Sequence, residues 1–120
     1  MMTTTLCQGL MVQQVGRVTV ACITQPSLLE ERLTAAIGDA LGKLVTGHCR
    51  RLVVNFRHVL HLSSFMFSQL LHLRKAMRAA GGELVLCEFH DGVAKAFERL
   101  RFDRLFTICA NEQEALERLR

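Results

Sequence analysis

The sequence contains no tryptophan and no tyrosine. The two larger aromatic platforms for stacking bases are therefore missing. The formal charge of +4 is carried by arginines scattered along the chain, with no block of about five or six like charges. Nucleic acid is not an expected partner. No apolar stretch approaches the roughly 20 residues that cross a bilayer. The Thr3-Thr4-Thr5 start also lacks the basic-then-apolar layout of a secretory signal. These absences predict a soluble cytoplasmic protein with no membrane partner.

Paired-cysteine motifs are missing as well. The five cysteines, Cys7, Cys22, Cys49, Cys87 and Cys109, are odd in number and contain no C-x-x-C pair. Three lie within apolar runs, as small buried hydrophobes do in a reducing compartment. There is no G-x-S-x-G elbow and no G-x-x-x-x-G-K phosphate loop, so hydrolase and nucleotide-hydrolysing chemistry lack their core motifs. A receiver domain has this size and alternation, but it needs clustered acids for magnesium, and the strand ending near Asn55 offers none. His58 and His61, in an irregular connection, and the distant His72 have no carboxylate or cysteine at ligand spacing. Neither catalysis, metal nor cofactor is expected.

What is present suffices for one domain. Half of the 120 residues are apolar, enough for a core without staples. The expected organisation is a flexible start over residues 1–9 and a single α/β domain over 10–120. Segments 10–15 and 17–23 read as strands about Gly16, an antiparallel hairpin. Pro26 marks a turn, and Ser27 with Glu30 has the spacing of a capping box. Leu29, Leu33, Ile37, Ala40, Leu41 and Leu44 then form a helical stripe closed by Gly47. Strands are expected at 51–56, 84–87 and 105–108. Helices are expected near 28–46, 64–80, 92–101 and 111–119, the last capped by Asn111 with Glu114. In the second helix Met66, Leu70, Leu73, Met77 and Ala80 form an unbroken stripe, stopped by Gly81-Gly82. Strands that alternate with helices require right-handed crossovers. A mixed, mostly parallel sheet with an N-terminal β-hairpin and about four helices follows.

The densest information lies in Val53-Val54-Asn55-Phe56-Arg57-His58-Val59-Leu60-His61-Leu62-Ser63-Ser64, where a β-branched strand leads to two serines at a helix N-terminus. Unpaired backbone amides and the positive end of the helix dipole make such a place suitable for an anion. A phosphate on Ser63 or Ser64 would add roughly 1.5 to 2 negative charges there. The structural role open to the same serines is capping, worth about 1 kcal/mol. Phe65 and Phe67 either face a partner or fill the core. Arg74, Lys75 and Arg78 suit the C-terminal end of the helix dipole.

The strand Val53–Val59, the serine pair, Gly81-Gly82-Glu83-Leu84-Val85-Leu86 and Phe102-Asp103-Arg104-Leu105-Phe106 together resemble the STAS domain family, over roughly residues 10–119. That family includes bacterial anti-sigma factor antagonists and sulfate-transporter tails. The resemblance implies a regulatory module of signal transduction and transcription control, with an anti-sigma factor or related serine kinase as partner. It puts Ser64 on the phosphoacceptor position and makes Asn55, Ser63, Ser64, Phe65, Met66 and Phe67 the expected partner-binding set. Asn55 and Ser63 stand where the family usually has aspartates, and Met66 where it has glycine. The alternative is a degenerate STAS domain acting as a constitutive scaffold or assembly subunit, its Phe65-Met66-Phe67 cluster exposed as a permanent interface. A small-ligand sensor at the strand ends is a third option. Self-association as a homo-oligomer is compatible with each.

Overall fold

The computed structural model describes residues 3–120. The chain opens with three antiparallel strands, β1 (Thr3–Cys7), β2 (Leu10–Val15) and β3 (Val18–Ile23). Gly9 and Gly16 stand in the intervening turns with φ of 91° and 60°, the left-handed region that glycine enters without steric cost. Strand β1 departs from the expected flexible start, since Thr3 pairs with Gln13 and Cys7 with Leu10. β-Branched threonines fit a pleated edge. Because residues 3–6 are all exposed, β1 has no inward apolar period to betray it in the sequence. The first two residues of that expected segment lie outside the described residues.

The remaining elements are β4 (Ser27–Leu28), α1 (Glu31–Thr46), β5 (Arg51–Asn55), β6 (His61–Leu62), α2 (Ser64–Ala79), β7 (Glu83–Cys87), α3 (Asp91–Arg99), a 3-10 turn (Phe102–Arg104), β8 (Thr107–Cys109) and α4 (Glu112–Arg118). The main sheet has the order β1-β2-β3-β5-β7-β8. From β3 onward its strands pair in parallel. This is the expected mixed α/β architecture with an N-terminal hairpin and four helices.

Successive residues of the central strands enter two different cores. Leu52 and Val54 join Ile37, Leu41, Leu70, Met77 and Phe97 in the larger one, beneath α1, α2 and α3. Val53 joins Val20, Val85, Ala115 and Leu119 in the smaller one, beneath α4. A strand covered on both faces reads as a continuous apolar run, which is how β5 and β7 appear in the sequence. Each helix returns antiparallel to the strands it joins. The carboxyl ends of the parallel strands and the helix N-termini therefore share one pole, and the helix C-termini lie at the other.

Two element boundaries differ from expectation for a visible physical reason. Helix α1 starts at Glu31, because Ser27 and Leu28 are drawn into strand pairing with His61 and Leu62. Leu29, counted in the helical stripe, lies before the helix and is 59% exposed. Strand β8 begins at Thr107, because Phe102–Arg104 continues the chain as a 3-10 turn and Phe106 turns into the core.

Candidate phosphorylation and partner-binding site

The chain reaches α2 through a clamp. The Pro26 carbonyl accepts from the Leu60 and His61 amides at 2.7 and 3.1 Å, and the Ser63 amide donates to the Leu28 carbonyl at 3.2 Å. With the β4–β6 pairing, the segment before α1 fixes the segment before α2. Two-residue strands have no period, so nothing in the spacing announces this clamp. It leaves Leu29 and Leu60 on the surface, 59% and 49% exposed.

The two serines have different roles. Ser63 is the N-cap, with φ −91° and ψ 164°, and its Oγ accepts a hydrogen bond from the Met66 amide at 3.3 Å. Its hydroxyl is thus engaged in holding the first turn. Ser64 is exposed, and its hydroxyl has no hydrogen bond among the described residues. Helices α1, α3 and α4 each carry a carboxylate in the first turn, whereas α2 carries none. The partial positive charge at its N-terminus, about half an elementary charge, is therefore not neutralised by its own first turn.

Several residues expected at the partner surface lie elsewhere. Met66 and Phe67 are buried, 0% and 5% exposed, and Phe65 is half-buried. Phe67 packs against Phe97 and Phe102 with ring centroids 4.9 and 5.4 Å apart, within a network that also includes Phe56, Phe89 and Phe106. Aromatic rings at such offsets hold one another beyond simple burial. Two of the three residues expected to form an exposed apolar interface are therefore buried, and the third is half-buried. The helical period explains it, since residues 66, 67, 70, 73 and 77 share the inward stripe.

Asn55 is also fully buried, and it lies on the α4 side of the sheet. Its Nδ2 donates to Glu112 Oε1 at 2.9 Å, and its Oδ1 accepts from the Arg57 amide at 2.8 Å. The Glu112 amide in turn donates to Glu88 Oε2 at 2.9 Å. Asn55 thus ties the end of β5 to the start of α4, with its side chain buried between them. Sequence reasoning missed Glu112, which is 57 positions away and joins Asn55 only through the crossovers.

Asn55 shares a cross-strand row with Cys22, Cys87 and Cys109. Burial raises all three thiols, and it pushes Cys87 up to about 12, with the Glu88 and Glu112 carboxylates adding to the shift. The buried Cys87 thiol therefore stays protonated at neutral pH and offers no thiolate nucleophile. Among the described residues no group of three or more His, Cys, Asp or Glu side chains is placed to hold a metal. His61 belongs to β6, while a His90 ring nitrogen is bonded to the Arg57 carbonyl. No helix of the described residues is long and apolar enough to cross a membrane.

Comparison with known proteins bears on the fold and the family. No curated protein matches the chain. Among solved structures, an anti-sigma factor antagonist from Mycobacterium paratuberculosis superposes with a TM-score of 0.82 at 17% identity, covering 92% of each chain. The Bacillus cell fate determinant SpoIIAA in its phosphorylated form gives 0.72 at 18% identity, covering 92% of this chain and 99% of that one. A chain of the stressosome gives 0.70 at 22% identity, covering 90% and 94%. At these identities the likeness shows the fold. The STAS domain family model matches residues 15–115, a span that runs from the last residue of β2 into α4 and includes the serine pair. The chain belongs to the STAS domain family.

Proposed function

We propose that this chain is a regulatory protein-interaction module of the partner-switching kind, an antagonist of an anti-sigma factor or similar kinase-type partner, controlled by phosphorylation of Ser64. The observation that carries the reading is the exposed, unbonded Ser64 hydroxyl on a helix N-terminus without a carboxylate, beside a Ser63 hydroxyl already engaged as cap. A kinase-type partner supplies the ATP, and its γ-phosphoryl group passes to Ser64 Oγ with release of ADP and the hydroxyl proton. The chain itself is substrate and ligand. The phosphate gains the helix dipole and free amides, and it adds charge to a surface that includes the apolar Leu29 and Leu60. That charge disfavours the unmodified contact.

Binding measurements with the cognate partner test the reading. Ser64→Asp should weaken binding, in part only, because aspartate carries one charge where phosphate carries about two. Ser64→Ala should bind as the parent does and accept no phosphate. If both variants bind like the parent, and the partner transfers no phosphate to the parent, the phosphorylation switch is wrong and the constitutive assembly subunit takes its place.

A further inference from the structure

The pole opposite Ser64 holds a cleft of about 590 Å³ between β2, β3, the last turn of α1 and the start of β5. Arg17, Lys43, His48, Arg50 and Arg51 line it, and no carboxylate does. Arg50 has a structural role, its Nη1 donating to the Val45 and Cys49 carbonyls at 3.3 and 3.1 Å and so closing the end of α1. Offsetting the C-terminal dipole of that helix takes about half a charge. Arg17, Lys43 and Arg51 remain as three further full charges, none with an ion pair among the described residues. The excess exceeds what capping α1 requires.

The backbone decides between a compact phosphate and spaced carboxylates. Compact phosphates are typically held by a nest of free amides. Here the Gly47, His48 and Cys49 amides are already spent on the Lys43, Val45 and Leu44 carbonyls at 2.9, 3.1 and 3.0 Å. The cations instead project from three separate segments: the β2–β3 turn, the end of α1 and the entry to β5. That spacing suits carboxylates distributed along a chain, which arginine and lysine side chains meet one by one. We propose that the cleft is a second docking surface, for an acidic segment of a partner protein. It is separate from the Ser64 surface, so both can be occupied together.

The test is a fluorescence anisotropy titration of labelled hexaglutamate at low ionic strength. The Arg17→Glu/Lys43→Glu protein is compared with Lys95→Glu/Arg104→Glu, which has the same change in net charge outside the cleft. All four positions are exposed, so the fold should survive, and circular dichroism checks that it does. The cleft variant should bind about tenfold more weakly than the parent, from the loss and reversal of exposed charge pairs. The control should change by less than about twofold, through the long-range field alone. Arg17→Gln is the milder second variant and should still weaken binding measurably. Equal loss in the two charge-matched variants, equal binding of hexaglutamine, or tighter binding of inorganic triphosphate than of hexaglutamate would each overturn the proposal. Ser64→Asp leaves hexaglutamate binding unchanged if the two surfaces are separate.

Discussion

At Ser63 the hydroxyl holds the Met66 amide, so Ser63→Ala should lower stability by about 1 kcal/mol in denaturant unfolding. Ser64→Ala removes no bond with the described residues and should leave stability within about 0.5 kcal/mol. A larger loss at Ser64 than at Ser63 would reverse the two roles. Asn55 allows a sharper test. In Asn55→Asp the amide that donates to Glu112 Oε1 becomes a carboxylate facing a carboxylate, in a fully buried position. The loss should be about 1 to 3 kcal/mol at neutral pH. Burial and like charge raise the folded-state pKa of the introduced carboxyl above its unfolded value of about 3.9, so the deficit is full above the folded pKa and fades as pH falls toward the unfolded one. A deficit independent of pH between neutrality and pH 4 would contradict the geometry. The serine pair was legible in the sequence because capping and phosphate seating need the same residue types at the same place. Which serine caps was not, since that depends on the φ and ψ of Ser63.

Helix α2 carries the most continuous stripe, and Leu73 on it is 4% exposed within the larger core. Leu73→Ala should therefore reduce unfolding free energy by about 2 to 5 kcal/mol. A loss under about 0.5 kcal/mol would place the stripe against solvent or a partner. The same stripe explains what sequence reasoning recovered and what it lost. Long amphipathic helices and doubly buried strands have strong periods, and α2, β5 and β7 were legible for that reason. The edge strand β1 has threonines and no buried period, and β4 and β6 have two residues each, too few for any period. Ser27 illustrates the competition, because its capping-box spacing is real but its backbone is taken by pairing with His61. Phe67 illustrates another, since an apolar residue after a functional serine reads equally as surface or core until the aromatic network claims it.

Across the whole molecule, every helix carries a base in its last turn and every helix except α2 an acid in its first. Glu31, Asp91, Glu112 and Glu114 stand in first turns, and Lys43, Arg78, Arg99 and Arg118 in last turns. The serines sit at the helix-start pole, on the one start without an acid, and the basic cleft sits at the other. On the proposed reading, a partner meets Ser64 at a helix start without an acid of its own, where a phosphate brings new negative charge. Fold class was legible at this scale from alternation and from the family resemblance. The placement of Asn55 beside Glu112 was not, because it requires the crossovers to bring the end of β5 to the start of α4. The central claim, that Ser64 rather than Ser63 is the modified residue, is tested most directly by site-resolved tandem mass spectrometry. The sample is protein isolated from its native cells across growth and stress. Phosphate on Ser64 with none on Ser63 is the predicted result. Phosphate on Ser63, or on neither serine under every condition, would contradict the account.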